Sequence, residues 1–109
     1  MILCDTNVLI ELYKNNPRIT ADLRQIGLPN LAVGVITVAE LYYGALNKAE
    51  LRKIKEHLAL MHQIPVTREI SVRFLELMET YALSHKPGIP DILIAATALD
   101  HELSLLHST

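Results

Sequence analysis

Short apolar runs alternate along this chain with longer segments in which apolar residues recur at helical spacing. Residues 1–4 and 31–36 are short and mostly aliphatic, as buried strands of a parallel sheet are. A very short third strand is predicted at 64–66 and a fourth at 103–107. The first run is followed directly by Asp-Thr-Asn, which indicates that a strand ends there and a helix begins.

The intervening segments predict helices with recognisable ends. Asn16 followed by Pro17 favours a helix start, and Gly27 favours its end. Further helices are predicted from about residue 37 and from about 90 to 102. Apolar stripes predict two more helices, marked by Leu51, Ile54, Leu58 and Met61, and by Ile70, Phe74, Leu77, Met78 and Tyr81. Strands alternating with helices predict the α/β class, with a parallel sheet of about four strands flanked by helices.

Length and composition narrow the class of protein. A chain of 109 residues suffices for one domain with a real core and is too short for two. Half of the residues are apolar and no low-complexity stretch occurs, so disorder is not expected. The one cysteine, Cys4, lies in the first apolar run, and we interpret it as a small core residue. Such cysteine usage fits a reducing compartment.

Charge and hydropathy bear on location and partners. An acid at position five interrupts any secretory signal, and no apolar run approaches the roughly 20 residues that cross a bilayer. We therefore expect a cytoplasmic protein with no membrane association. The net charge of −2 argues against broad electrostatic binding to nucleic acid. Lys48, Arg52 and Lys55 share a helix face that is either simply solvated or contacts an RNA backbone.

Three carboxylates stand at element boundaries: Asp5 after the first strand, Glu40 after the second, and Asp91 at the start of the last helix. Each also has a purely structural interpretation. Asp5 could cap a helix, and Asp91 could complement the positive end of one. Glu40 could complete a capping box with Thr37. Because the carboxyl ends of parallel strands meet at one edge, Asp5 and Glu40 should nevertheless converge, joined by Asp91 if the last helix reaches that edge.

Three carboxylates gathered at one place would repel one another, and a hard cation with oxygen ligands would relieve that repulsion. Bound there, Mg²⁺ could hold a phosphate oxygen and activate water for phosphodiester hydrolysis. A histidine site is not expected, because His57 and His62, five residues apart, have poor spacing for one helix face. The chain shows no Gly-rich phosphate loop and no Ser or Cys nucleophile in a recognisable turn.

Three motifs in this order resemble those of the PIN-domain nucleases, and most closely the VapC-type toxins of bacterial and archaeal toxin–antitoxin pairs. They are Asp-Thr-Asn at residues 5–7, Ala-Glu-Leu-Tyr-Tyr-Gly-Ala at 39–45, and Pro-Asp-Ile-Leu-Ile-Ala-Ala-Thr-Ala at 90–98. The similarity covers essentially the whole chain. Tyr42 and Tyr43 are adjacent on a helix and cannot face the same surface, so at least one is expected to be a core or dimer contact.

The resemblance implies a PIN-like three-layer fold and a metal-dependent endoribonuclease. It implies that Asp5 and Asp91 hold Mg²⁺ or Mn²⁺, with Glu40 acting directly or through water. Thr6 and Asn7 would orient the site by hydrogen bonds. A metal-activated water would cleave RNA and leave a 5′-phosphate and a 3′-hydroxyl. The expected partners are a cognate antitoxin that blocks the acidic site and a second copy in a homodimer.

In one respect the chain differs from the family pattern. PIN domains usually continue past the fourth strand with an Asn-containing turn, a fourth acid and a final strand. Residues 1–109 are therefore expected to form a single, truncated PIN-like domain, with Thr109 at or just before the fourth acid's position. Asp100 cannot replace that acid, because it lies on the opposite helix face from Asp91.

Two other functions remain open. The first is a catalytically impaired, truncated PIN module that binds an antitoxin or self-associates. The second is a small metal-dependent phosphatase of the haloacid dehalogenase kind, which also places an acid after its first strand. That class uses a second acid two residues later, where this chain has Asn7.

Overall fold

Four strands and six α-helices alternate along the part of the chain that the computed structural model describes, residues 1–107. In chain order they are β1 Ile2–Cys4, α1 Thr6–Tyr13, α2 Pro17–Ile26, β2 Leu31–Gly34, α3 Val35–Tyr43, α4 Lys48–Leu58, β3 His62–Ile64, α5 Arg68–Tyr81, α6 Ile89–Asp100 and β4 Ser104–Leu106. A short 3₁₀ turn, Leu28–Asn30, precedes β2. No helix within residues 1–107 is long and apolar enough to span a membrane.

All strands of the sheet are parallel, in the order β3-β2-β1-β4. In β1, Ile2 is opposite Leu31 of β2 on one side and Ser104 of β4 on the other. The chain moves from β1 through β2 to β3 in one direction, and then β4 joins the other side of β1. The direction of winding thus changes between β1 and β4, and α/β folds bind ligands at the carboxyl ends of strands beside such a switch. Asp5, which follows β1, lies at this point.

The sheet separates two apolar cores, because successive strand side chains point to opposite faces. Cys4, Leu31 and Val33 face helices α1 to α4, whereas Leu3 and Ala32 face α5 and α6. Helices on one face connect β1, β2 and β3, and helices on the other face lead back to β4. Right-handed crossovers require this change of face when the winding direction reverses. The predicted three-layer α/β fold is confirmed.

Cys4 is a core residue, as its position in the first apolar run predicted. Its side chain is fully buried. Burial and, to a smaller extent, the neighbouring Asp5 carboxylate together raise the pKa of the Cys4 thiol to about 12. The thiol is therefore protonated at neutral pH, which makes it a poor nucleophile.

The second strand was predicted two residues too long, and the third was predicted two residues too late in the chain. Helix α3 begins at Val35, so residues 35 and 36, predicted as strand from their branched side chains, are helical. Strand β3 ends at Ile64 and pairs with residues 32–34 of β2, whereas it was predicted at 64–66. Pro65 has no backbone N–H to donate to a ladder, which explains why the strand stops before it. The fourth strand lies within its predicted range.

Helix α2 begins and ends at the residues that the sequence predicted. Asn16 accepts hydrogen bonds from the backbone N–H groups of Arg18 and Ile19 at the start of α2. Gly27 ends that helix with a φ of +87°, a conformation that glycine adopts readily. The capping-box interpretation of Thr37 and Glu40 was wrong, because α3 begins before Thr37 and the Glu40 carboxylate accepts from Thr6.

A buried polar contact joins the end of α1 to α4. The Tyr13 Oη and His57 Nδ1 atoms are 2.8 Å apart, and the two rings pack edge to face. Burial lowers the pKa of His57, and burial also raises the pKa of Tyr13 to about 12. The fold therefore favours the neutral form of both side chains.

This contact predicts a loss of stability under acid conditions. Because the folded state lowers the pKa of His57, the unfolded chain binds more protons between the folded pKa and the unfolded value of about 6.5. The free energy of unfolding should therefore fall as the pH is lowered through that window. Urea denaturation from pH 7.5 to 5 measures the slope. His57→Gln should flatten it, and the same substitution at the exposed His62 should not; equal slopes for both variants would contradict the prediction.

Candidate functional site

A cleft of about 450 Å³ opens at the carboxyl edge of the sheet. Its lining residues come from α1, α3, α6 and the end of β1: Asp5, Thr6, Asn7, Ile10, Ala39, Glu40, Tyr43 and Asp91. The cleft therefore brings together every candidate site residue that the sequence indicated. No lysine or arginine lines it in the described chain, so the charged groups of its wall are all acidic.

Asp5 is held by the end of the central strand and the start of α1. Its backbone N–H donates to the carbonyl oxygen of Leu106 at 3.0 Å. Its Oδ1 accepts from the backbone N–H of Val8 at 2.9 Å and so caps α1. The structural interpretation of Asp5 as a cap is thus correct, and it is compatible with a role in the cleft. Oδ2 has no hydrogen-bond partner within residues 1–107.

Glu40 is oriented by two threonine hydroxyls. The Thr6 Oγ1 atom is 2.7 Å from Glu40 Oε1 and 3.1 Å from Thr37 Oγ1. Since a hydroxyl has one proton, we infer that Thr6 donates to the carboxylate and accepts from the fully buried Thr37. This hydrogen bond is a contact through which Thr6 could orient Glu40, and its role in a reaction stays a prediction. The contribution of Thr37 was missed, because sequence alone assigned its hydroxyl to a helix cap.

Asp91 stands in the first turn of α6, which packs against α3. Its carboxylate makes no hydrogen bond or ion pair within the described residues. The adjacent Gly88 leaves room for it, because a Cβ at Gly88 would lie 3.1 Å from Asp91 Oδ2. The last helix therefore reaches the edge that holds Asp5 and Glu40, the point that sequence alone could not decide.

The polar groups of the cleft that could bind a cation are carboxylate, hydroxyl and amide groups. Within residues 1–107, no group of three or more His, Cys, Asp or Glu side chains is arranged to hold a metal ion. The three carboxylates nevertheless supply only oxygen donors, and each keeps an oxygen without a hydrogen-bond partner in the described structure. Mg²⁺ commonly takes one or two carboxylates and retains several waters. The residues fit a hard, partly hydrated cation better than a closed cage of protein ligands.

Several residues differ from their predicted roles or were not foreseen. Asn7 lines the cleft, but its side chain makes no hydrogen bond in the described chain. Asp100 lies outside the cleft, where its carboxylate is 3.9 Å from the Arg73 guanidinium. Ile10 and Tyr43 line the cleft unexpectedly, although the three-residue spacing of Tyr43 from Glu40 was a usable signal. Thr109, the position compared with a fourth acid, lies outside the described residues.

Comparisons with known proteins identify the family of this chain. The family model of the PIN domain matches residues 2–109. No curated protein matches the chain. A chain of a toxin–antitoxin complex from Klebsiella pneumoniae is 30% identical, with a TM-score of 0.82 over 96% of this chain and 83% of that one.

Two other solved structures are similar to the same extent. A chain of FitAcB from Neisseria gonorrhoeae is 31% identical, with a TM-score of 0.78 over 96% of this chain and 85% of that one. A chain of VapBC-1 from nontypeable Haemophilus influenzae is 30% identical, with a TM-score of 0.78 over 96% and 84%. With its parallel sheet, its acidic cleft and a family match over nearly its whole length, the chain belongs to the PIN domain family.

Proposed function

We propose that this chain is a divalent-metal-dependent endoribonuclease, similar to the toxin of a type II toxin–antitoxin pair. The observation that carries the proposal is the convergence of Asp5, Glu40 and Asp91 on one cleft at the topological switch of the sheet. Family membership and the similarity to chains of toxin–antitoxin complexes support it. Residues 1–109 would act as a single domain in the cytoplasm, where cellular RNA is available.

In this proposal Asp5 and Asp91 hold Mg²⁺ or Mn²⁺, and Glu40 contributes directly or through water. The cation, when bound, would stabilise negative charge on a phosphate oxygen and make a nearby water more acidic. The chain's own residues orient the reaction. Thr6 fixes Oε1 of Glu40, which leaves Oε2 to accept a proton from the attacking water. The exposed Asn7 amide would donate to the phosphate. Water adds to phosphorus as the bond from phosphorus to the 3′ oxygen breaks, and the departing oxygen takes a proton from solvent, which yields a 5′-phosphate and a 3′-hydroxyl.

The proposal includes two protein partners. A cognate antitoxin would cover the acidic cleft, in keeping with the complexes that the similar chains form. A second copy of the chain would form a homodimer, for which exposed apolar side chains offer contact area. Among these are Leu46, Val72 and Leu75. Lys48, Arg52 and Lys55 are exposed on α4 but do not line the cleft, so RNA contact there stays a prediction.

Cleavage of a mixed RNA substrate tests the proposed activity directly. We expect products with Mn²⁺ or Mg²⁺ and none with EDTA, with end analysis showing 5′-phosphates. Circular dichroism first establishes that the protein is folded. A folded chain that cleaves no RNA with either metal would contradict the nuclease proposal. It would favour the impaired module instead, which predicts antitoxin binding that persists in an Asp5→Asn variant.

Loss of the Thr6 hydroxyl should lower cleavage without removing any acid. Thr6→Val keeps the shape of the side chain but removes the proton donated to Glu40. Because a hydrogen bond to a charged group contributes about 1.5–3 kcal/mol, we expect kcat to fall by roughly 10- to 150-fold. Thr6→Ser retains the hydroxyl and should stay within a few-fold of the parent. Equal kcat values for both variants would show that this bond does not orient Glu40.

A further inference from the structure

Part of the cleft wall is not suited to hold a cation. Ile10, Ala39 and Tyr43 line it beside the three acids. Tyr43 is the unusual residue among these three, because a large aromatic side chain is 94% exposed to solvent. Its neighbour Tyr42 packs against the core, as expected for at least one of the pair. An aromatic ring is thus held in solvent at the edge of an acidic cleft.

Helix α3, which carries Tyr43, is firmly packed in the fold. Helix α3 buries Thr37 and Leu41, which are 0% and 5% exposed. The hydrogen bond between Thr6 and Glu40 also ties α3 to α1. Tyr43 comes three residues after Glu40, so both side chains lie on one side of the helix. The backbone of Tyr43 is therefore held at a defined distance from the Glu40 carboxylate, and its exposed ring can turn about its own side-chain bonds.

No contact inside the described chain explains the placement of Tyr43. Its hydroxyl has no hydrogen-bond partner within residues 1–107, and its ring does not pack against either apolar core. A nucleotide carries both a phosphate and an aromatic base. The acids, with a cation, suit the phosphate, and an exposed aromatic ring at the edge of the same cleft suits the base.

We propose that Tyr43 is a substrate-binding residue that stacks on an unpaired base next to the phosphate held at Asp5, Glu40 and Asp91. The inference rests on the proposed nuclease function and specifies its substrate as single-stranded at this nucleotide. A base inside a duplex has both faces covered by its neighbours, so it cannot stack on a side chain. The tyrosine ring is also uncharged. Its stacking on a base would therefore help to hold the RNA at the acidic cleft, where the carboxylates repel the phosphate, and this contribution would not depend on ions.

Fluorescence can detect this contact without any cleavage. The chain contains no tryptophan, so Tyr43→Trp introduces a single indole that can still stack. In EDTA, with salt added to screen charge repulsion, a single-stranded RNA oligonucleotide should quench it saturably. The same sequence as a duplex should quench it far less. Leu83→Trp is the matched control, because Leu83 is 93% exposed and does not line the cleft; no saturable quenching is expected there.

Kinetics provide the second readout. The stacked base should contribute equally to the ground state and the transition state, so Tyr43→Ala should raise KM and leave kcat nearly unchanged. From the usual effect of removing a stacking ring, we expect KM to rise about 5- to 150-fold. Tyr43→Phe keeps the ring and should behave like the parent. A merely structural role would instead lower the active fraction and hence kcat.

The outcomes separate this inference from the proposed function. Quenching at Trp-substituted Tyr43 with no cleavage under any condition supports stacking and contradicts the nuclease proposal. Metal-dependent cleavage with neither selective quenching nor a KM change in Tyr43→Ala overturns the stacking proposal alone. If the fluorescence of Tyr43→Trp changed with protein concentration and did not change with added RNA, the stacking proposal would also be overturned. Tyr43 would then lie between copies of the chain. If the folded protein shows neither RNA cleavage nor selective quenching, both proposals are overturned.

Discussion

Asp5→Asn should reduce RNA cleavage by on the order of 10³-fold, the largest effect expected of any single change in the cleft. The substitution removes a negative charge from the end of β1 and leaves the fold intact. An asparagine oxygen can still accept from the Val8 N–H at the start of α1, and asparagine caps helices as well as aspartate does. The loss should therefore appear in kcat and in Mn²⁺ affinity, with little change in the free energy of unfolding.

Asp22→Asn is the matched control for this measurement. Asp22 is an exposed residue of α2 outside the acidic cleft, so its substitution removes the same charge at a distance from the site. Cleavage rates, Mn²⁺ titration and urea denaturation should be compared for both variants. If Asp5→Asn retained the parent's cleavage and Mn²⁺ affinity, the assignment of Asp5 as a metal ligand would be wrong.

Leu3→Ala should lower the free energy of unfolding by about 2–5 kcal/mol, a typical cost of emptying a leucine site in a packed core. Leu3 is fully buried in β1, between its neighbours β2 and β4. It packs in the core under α5 and α6, together with Ala32, Ile70 and Ile94. Because small domains are stable by only about 5–15 kcal/mol, this one change should remove a large share of the protein's free energy of unfolding.

Urea denaturation followed by circular dichroism measures this loss. Leu83→Ala removes the same atoms from a side chain that is 93% exposed, and it should change stability by less than about 0.5 kcal/mol. A loss below 1 kcal/mol for Leu3→Ala, with an unchanged slope against urea, would mean that the site collapses to fill the space. It would contradict the tight two-sided packing described for β1.

The helix start at Asn16 and its end at Gly27 were predictable because the signals are local: a capping oxygen, a proline and a glycine with positive φ. The limits of β2 and β3 were not. Val35 and Ile36 have strand propensity, yet they begin α3, and β3 lies two residues earlier than predicted because its ladder with β2 runs over residues 62–64. Weak local preference gives way where ladder pairing and core packing decide.

By itself the sequence determined the α/β class, the core position of Cys4 and the three acidic motifs, because apolar periodicity and motif order are properties of the chain alone. The tertiary structure decided that α6 reaches the edge where Asp5 and Glu40 meet. It also decided that Thr37 supports Thr6 instead of capping a helix, and that Tyr43 borders the cleft. These contacts join residues more than thirty positions apart, and their geometry follows from how helices pack on the sheet, which no local pattern encodes.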